Sequence, residues 1–136
     1  MKIEIVKEIK VEGGGYQQMK LESAVNLEPS TCDEIIVGDI LDYTNNKGQV
    51  FQQLVSKLKY NGIINLSGIS LDIICNEYNN GQLTPYEMTE LLYNGKTSTD
   101  TLYGIINMCQ HYGLEIILED ITQYKYIVSA KKVKNE

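Results

Sequence analysis

The apolar residues of this chain follow two different periods, which divide it into predicted strands and helices. Lys2–Lys10 alternates between charged and β-branched residues, a pattern typical of a half-buried strand. Glu34–Gly38 is a continuous apolar run, as in strands that are buried on both faces, and Gly62–Ser67 is predicted to be the next buried strand. Between these two, Asn46–Lys59 has apolar residues at helical spacing, and Asn61 with the glycine after it is predicted to end that helix.

Further helices are predicted in the second half of the chain. The pattern of Ser70–Tyr78 is helical, and Thr84–Glu87 has the spacing of a capping box at the start of the next helix. Ser98 or Thr99 is predicted to cap a helix over Asp100–Tyr112, whose apolar residues form one stripe. These helices therefore connect the central strands to the strands that follow.

Two strands are predicted near the carboxyl end, Leu114–Ile121 and Tyr124–Lys132. The connection between them is tight, so they are expected to form an antiparallel hairpin. The earlier strands alternate with helices, which implies a parallel sheet with right-handed crossovers. We therefore predict an α/β fold with a mostly parallel sheet and an antiparallel C-terminal hairpin. At 15.4 kDa, residues 1–136 are expected to form a single domain.

Composition excludes several classes of function. The formal net charge is -6 and every basic residue is a lysine. The absence of arginine weighs against phosphate recognition, and the sequence has no basic patch of the size that nucleic acid requires. The apolar runs fall far short of the ~20 residues that span a bilayer. We therefore expect no nucleic-acid partner, no membrane partner and a cytoplasmic location.

The cysteines and the histidine give no sign of a metal site. Cys32, Cys75 and Cys109 are odd in number and widely spaced, without a CxxC pair, which argues against zinc and against a disulfide framework. Cys75 and Cys109 lie in apolar helical patterns and are predicted to be buried. The single histidine, His111, cannot form a multi-histidine centre. No metal is predicted.

The segment Cys32–Ser67 resembles the middle of a class I S-adenosylmethionine-dependent methyltransferase. An acidic residue, Asp33, leads into the strand Ile35–Val37, whose polar end is Gly38-Asp39. A turn follows at Leu41–Tyr43, and Leu58–Gly62 leads into the next strand. These segments carry the resemblance. It extends over residues 27–133. It implies a truncated Rossmann-like fold, in which residues 1–31 are a remodelled strand and connector and residues 32–136 are the Rossmann-like half.

The resemblance also indicates what the chain lacks. In this family the cofactor is held by a glycine-rich turn after the first strand and by an acidic residue after the second. Two βαβ units before the Glu34–Gly38 strand would need roughly 60 residues, whereas only residues 1–31 precede Cys32. The resemblance implies vestigial cofactor-binding positions at Gly13, Gly14, Gly15, Asp39 and Leu41. For the glycines, the alternative is a flexible connector. We expect no cofactor, or S-adenosylmethionine if the family activity is retained.

Asp39 is the candidate catalytic residue, because it lies at the end of a predicted buried strand, where related enzymes face cofactor and substrate. It could act as a general base or cap the turn that follows it. Glu22 or Glu28 could take the place of the acidic residue that leads into the site in this family. Asp42 and Tyr43 take the place of an acidic-histidine pair, which removes the residue best suited to proton transfer at neutral pH.

Three functions remain open at this point. The first is a degenerate, non-catalytic methyltransferase-like domain that acts in protein interaction or assembly, with a protein partner or as a homo-oligomer. The abundance of Asn, Ile, Lys and Tyr suggests an AT-rich genome. A viral or phage source would suit an accessory or virion component. The second is an active transferase completed by a dimer mate or partner chain, and the third is a small-ligand binding module. We predict that Lys2–Lys10 lies beside the Glu34–Gly38 strand, in one protomer or by exchange.

Overall fold

The computed structural model describes residues 1–9, 15–93, 96 and 99–133. Its strands are β1 (Lys2–Ile5), β2 (Gln17–Met19), β3 (Cys32–Val37), β4 (Leu58–Ile69), β5 (Leu114–Thr122) and β6 (Lys125–Lys132). They form one sheet in the order β2-β1-β3-β4-β6-β5. Strands β1 to β4 are parallel, and β6 is antiparallel to β4 and β5. The predicted α/β fold, a mostly parallel sheet with an antiparallel hairpin, is confirmed.

The helices of the described residues lie in the connections between strands. They are α1 (Leu21–Ala24), α2 (Lys47–Lys57), α3 (Leu71–Asn79), α4 (Pro85–Leu92) and α5 (Leu102–His111), with a 3₁₀ turn at Asp39–Tyr43. Helix α2 joins β3 to β4, and α3, α4 and α5 lie between β4 and β5. The alternation of strands and helices that the sequence predicts is therefore present from β3 onward.

The helix caps agree with the prediction at one helix and differ at another. At α4, the Thr84 hydroxyl accepts a hydrogen bond from the Glu87 backbone N–H, and the Glu87 carboxylate accepts one from the Thr84 N–H, both at 3.1 Å. This capping box is as predicted. Helix α5 is capped instead by Thr101, whose hydroxyl accepts from the Gly104 N–H at 3.0 Å. Thr99 therefore is not the cap, and residue 98 lies outside the described residues.

The amino-terminal strand stands where it was predicted to stand, but it is shorter. Strand β1 pairs in parallel with β3, with Ile3 opposite Ile35 and Ile5 opposite Val37. The pattern of alternation had suggested a strand reaching Lys10, whereas β1 ends at Ile5 and residue 10 is not described. Its other neighbour, β2, offers only three residues for pairing, so the ladder stops there and the chain turns out of the sheet.

The Asn61-Gly62 pair forms a bulge in β4 and does not end a helix, as had been predicted. Helix α2 ends at Lys57, and β4 begins at the next residue. The register between β3 and β4 shifts after Cys32, and Asn61 has a φ of 68°. A Cβ atom on Gly62 would lie 2.8 Å from the Lys59 carbonyl oxygen. The close backbone approach therefore explains glycine at this position.

The two faces of the sheet have different surroundings, and we call them the inner and outer face. The inner face packs against α2 and α5 in the main core, and its buried strand residues are Ile3, Ile5, Ile35, Val37, Ile64, Leu66, Val128 and Ala130. The alternate positions form the outer face. They include Glu4, Glu34, Ile36, Ile63, Asn65 and Ile127, all of which are half-buried. The prediction that β3 is buried on both faces therefore holds only for its inner side.

The two helical cysteines that were predicted to be buried, Cys75 and Cys109, differ in burial. Cys109 is buried, and burial raises the pKa of its thiol to about 12. Cys75 is exposed, so the prediction that it is buried is wrong; it lies on the side of α3 that turns away from the buried Ile74. Among the described residues, no helix is long and apolar enough to cross a membrane. The same residues contain no cluster suited to a metal ion.

Candidate functional site

The order of the strands locates one place in the sheet where a ligand site is expected. From β1 the chain passes to β2 on one side and then returns to β3 on the other side of β1. In open parallel sheets, ligands bind outside the carboxyl ends of the strands where the connections diverge in this way. The expected site therefore lies at the carboxyl ends of β1 and β3.

A two-lobed cleft lies at this place. The larger lobe has a volume of about 470 Å³ and the smaller one of about 280 Å³, and they share Val6, Lys7 and Ile40. Each lobe is lined by residues that directly follow the strands. The larger lobe also includes Glu4 and Gln18 from the outer face. The topology and the cavity thus agree on one site.

Lys7 lies in the middle of this cleft. Its ammonium group is 3.2 Å from the centroid of the Tyr43 ring, which belongs to the 3₁₀ turn after β3. A cation over the face of an aromatic ring is attracted by the ring's quadrupole, by about 0.5–1 kcal/mol at exposed sites. This contact joins the end of β1 to the end of β3 across the shared part of the two lobes. The cleft therefore contains a positive charge at its centre.

One of the two acids that could take the place of the acidic residue leading into the family's site reaches the cleft. Glu22 lies in the first turn of α1, directly after β2, and lines the smaller lobe beside Lys20. Glu28 lines neither lobe. The position of Glu22 at the end of the second strand is the one that the resemblance assigned to an acid. Sequence alone left the choice between the two glutamates open.

The other predicted cofactor and catalytic positions have different outcomes. The backbone of Asp39 begins the 3₁₀ turn at the carboxyl end of β3, and its side chain is outside the description. Leu41, in contrast, is buried in the main core. Gly15 lies in a turn just before β2, with a φ of 85°. Gly13 and Gly14 lie outside the described residues, so the roles suggested for these positions stay predictions.

Asp42 lies in a buried cluster of charges and does not line either lobe of the cleft. Its side chain is 1% exposed, and one carboxylate oxygen accepts a hydrogen bond from Lys47 at 2.8 Å. The other oxygen is 3.8 Å from the Lys96 ammonium group. Lys47 also pairs with Asp100 at the start of α5. The cluster therefore ties the turn after β3 to α2 and to the approach to α5.

Burial and ion pairing oppose each other in this cluster. Burial raises the pKa of Asp42, and the hydrogen bond and charge of Lys47 together with the charge of Lys96 only partly offset it. Burial lowers the pKa of Lys47, but its bonds to Asp100 and Asp42 outweigh this and hold its pKa above the ordinary value. No sequence pattern predicts this cluster, because its members come from separate elements of the fold.

Comparison with known proteins supports the fold and says nothing more specific. No protein-family model matches the sequence, and no curated protein matches it. The solved structures that it resembles include a SAM-dependent methyltransferase, a possible histamine N-methyltransferase, from Thermotoga maritima, where SAM is S-adenosylmethionine. The identity is 9% and the TM-score 0.61, over 86% of this chain and 63% of the other.

Two further structures agree. A SAM-dependent methyltransferase from Methanosarcina mazei is 12% identical with a TM-score of 0.62, over 90% of this chain and 70% of the other. The third structure is a complex between the Haloferax volcanii Trm112 methyltransferase activator and a protein described as a methyltransferase. Its sequence identity to this chain is 8% and the TM-score is 0.62, over 91% of this chain and 65% of the other. This chain thus spans less than two thirds of the length of the matched Thermotoga maritima and Haloferax volcanii chains. It has a Rossmann-like, methyltransferase-like fold.

Proposed function

We propose that this chain is a methyltransferase-like domain that does not transfer methyl groups on its own and acts in protein assembly. The observation that carries the proposal is the Lys7 ammonium group over the Tyr43 ring, in the part of the cleft that both lobes share. The cleft lies where the fold implies S-adenosylmethionine would bind. The residues that line the cleft therefore decide whether that cofactor can bind.

The described residues do not fit S-adenosylmethionine. The reactive centre of this cofactor is a sulfonium cation, and Lys7 would repel it in the part of the cleft that both lobes share. The carboxylates of the lining, Glu4 and Glu8 in the larger lobe and Glu22 in the smaller one, lie outside this shared part. A helix that begins after the first strand would direct backbone N–H groups at a bound nucleotide. In the connection from β1 to β2, the described residues 6–9 and 15–16 are not helical.

An assembly role is supported by the apolar residues of the outer face. Ile36, Ile63 and Ile127 are only half-buried there. In the described part of the chain no helix contributes to a core above this face, apart from the small cluster around Ile69 and Ile74. Among the similar structures, the Haloferax volcanii protein is seen in a complex with an activator protein. We infer by analogy that a protein partner is compatible with this fold. A viral or virion role stays a prediction from composition.

A second candidate function is binding of a nucleoside-like ligand in the same cleft, in a transferase completed by a partner chain. Glu22 supports it, because a carboxylate after the second strand can accept hydrogen bonds from ribose hydroxyl groups. The two candidates differ in whether the cleft of this chain binds S-adenosylmethionine. The first predicts that it does not, and the second predicts that it does, with the partner chain completing the site of methyl transfer.

Calorimetric titration of the purified chain with S-adenosylmethionine separates the candidates. We expect no binding tighter than about 1 mM for the wild type, since Lys7 occupies the shared part of the cleft and the described residues after β1 form no helix whose N–H groups could hold the cofactor. Binding in the micromolar range would overturn the proposal and favour the second candidate.

A pair of variants tests whether Lys7 is the obstacle. We expect Lys7→Met to gain measurable affinity for S-adenosylmethionine, because it keeps the length of the side chain and removes the charge. Lys20→Met is the matched control, since Lys20 lines the smaller lobe without covering Tyr43. If both variants gain affinity equally, the net charge of the cleft and not the Lys7–Tyr43 contact is responsible.

A further inference from the structure

One row of residues across the outer face carries an unusual sequence of charges. The strand registers place Lys2 opposite Glu34, Glu34 opposite Ile63, Ile63 opposite Lys131, and Lys131 opposite Glu115. The row therefore crosses β1, β3, β4, β6 and β5 in that order. We call these five residues the charged row. Read across the sheet, the signs are positive, negative, neutral, positive and negative.

All members of the charged row lie on the outer face. Their chain neighbours Ile3, Ile35, Ile64, Ala130 and Leu114 are buried in the main core on the inner face. Side chains alternate between faces along a strand, so the charged row points the other way. Glu34, Ile63 and Lys131 are half-buried, and Lys2 and Glu115 are exposed.

Among the described residues, the charges of this row form no ion pairs. None of its four charged residues forms a salt bridge with another residue in the part of the chain that the structure describes. Glu34 accepts a hydrogen bond from Asn65 at 2.7 Å, and Tyr16 also bonds to it, but both donors are neutral. The row thus retains its charges for a partner.

The order of the charges is complementary to itself. A second copy placed face to face, and related by a two-fold axis parallel to β4, presents the same row in reverse order. Glu34 of one copy then lies over Lys131 of the other, and Lys2 lies over Glu115. Ile63 meets its own counterpart on the axis. Every charged position of the row therefore meets the opposite sign, as a two-fold interface requires.

The spacing of packed sheets suits this arrangement. Sheets that pack face to face lie about 10 Å apart, and lysine and glutamate side chains from the two copies can meet across that distance. Asn65 lies next to the row on β4, so it also lies close to the proposed axis. A uniformly basic or acidic partner would meet like charges along half of the row. The pattern therefore favours a second copy of this chain over such partners.

We propose that the outer face is the interface of a homodimer, in which two copies pair their charged rows about a two-fold axis along β4. This inference rests on the proposed assembly function in that it names the partner. The two can still fail separately. Titration with S-adenosylmethionine tests the cofactor, whereas the dimer is tested by mass in solution with no cofactor present.

Sedimentation equilibrium of the full chain is the first test, and we expect a dimer. Glu34→Lys and Lys131→Glu should each weaken dimerisation by at least about 100-fold, because each variant creates two like-charge contacts per dimer. Glu90→Lys is the matched control for Glu34→Lys, since Glu90 is exposed on α4 and its substitution changes the net charge by the same amount. We expect it to leave the dimer intact. Circular dichroism checks that each variant is folded.

Mixing the two charge variants gives the sharpest outcome. In the proposed geometry, a Glu34→Lys copy and a Lys131→Glu copy restore both opposite-sign contacts, so the mixture should form a heterodimer. The double variant should dimerise with itself. A wild-type chain that stays monomeric at about 0.5 mM would overturn the inference. A dimer that ignores the single variants, or a mixture that stays monomeric, would do so as well.

Discussion

The inner and outer faces are formed by alternate residues of the same strands, and yet they differ at almost every position. On β3, Ile35 is fully buried and Ile36 is half-buried. On β4, the buried Ile64 and Leu66 are followed on the other side by Asn65 and Ser67. Parallel sheets usually have both faces covered and strands that are apolar throughout. In the part of this chain that the structure describes, buried and half-buried residues alternate along the central strands, which indicates that helices cover only one face of the sheet.

The polar groups of the outer face satisfy one another. Asn65 donates to Glu34 at 2.7 Å, and Ser129 donates to Asn65 at 2.6 Å, so one chain of hydrogen bonds crosses β3, β4 and β6. Gln18 donates to Glu4 at 3.2 Å across β2 and β1. Such a network stabilises a half-exposed surface without a hydrophobic layer above it. The two faces are therefore held together by different interactions.

Substituting neighbouring isoleucines on β3 tests this difference most strongly. We expect Ile35→Ala to lower the free energy of unfolding by about 4 kcal/mol, because it leaves a cavity in the main core. Ile36→Ala removes the same atoms from the half-buried outer face and should cost about 1 kcal/mol. Urea unfolding of both variants measures the contrast. Equal losses would mean that the outer face is as well covered as the inner one.

Removing one hydrogen-bond donor extends the comparison to polar groups. Lys47→Met leaves Asp42 buried beside the more distant Lys96, and we expect a loss of about 3 kcal/mol. Asn65→Ala removes a donor from the half-exposed Glu34 and should cost about 1 kcal/mol. Asp42→Asn in the Lys47→Met background should recover much of the loss. A Lys47→Met variant as stable as the wild type would show that the pairing of Asp42 contributes little.

The stability of Lys47→Met should also depend on pH. Burial raises the pKa of Asp42 above its ordinary value of 3.8, so the folded chain binds this proton at a higher pH than the unfolded chain. A raised pKa favours folding at low pH, and this contribution is lost as the pH rises through it. Without Lys47 the pKa rises further. The deficit of Lys47→Met against wild type should therefore be smaller at about pH 5 than at about pH 8.

Introducing alanine on each face gives the smallest expected contrast. A Cβ atom on Gly68 would lie 2.7 Å from the Tyr126 hydroxyl oxygen and 3.0 Å from the ring, so Gly68→Ala must displace the buried ring. We expect a loss of about 2 kcal/mol. Ser67→Ala, one residue away on the outer face, should change stability by less than about 0.5 kcal/mol. Thermal unfolding of the pair is sufficient to measure this.

The sequence predicts the fold well wherever a local pattern decides the structure. The hairpin of β5 and β6 and the capping box at Thr84 follow from short-range signals, and both are confirmed. Asn61-Gly62 shows the limit, because the same pair can end a helix or form a bulge. The position of α2 directly before β4 decides between them, and that depends on the register with β3.

The candidate site is less predictable, since it is made of residues that are distant in sequence. The sequence pattern places Lys7 within a predicted strand. Lys7 reaches the cleft only because β1 ends at Ile5. Asp42 resembles a site residue in sequence, whereas Lys47 and Lys96 bury it in an ion cluster. The choice of Glu22 over Glu28 depends on where β2 ends. Each of these outcomes is set by tertiary contacts.

The outermost strands limit how copies of this chain can associate. Strand β2 has only three residues, and β5 has a register shift between Ile116 and Leu118 and carries the acidic residues Glu119 and Asp120. Short, bulged and charged edges resist the addition of further strands. Edge-to-edge pairing of copies into a fibre is therefore unfavourable, even though Ile117 and Leu118 are exposed. Apolar residues can therefore lie at the rim of the sheet without favouring the addition of strands there.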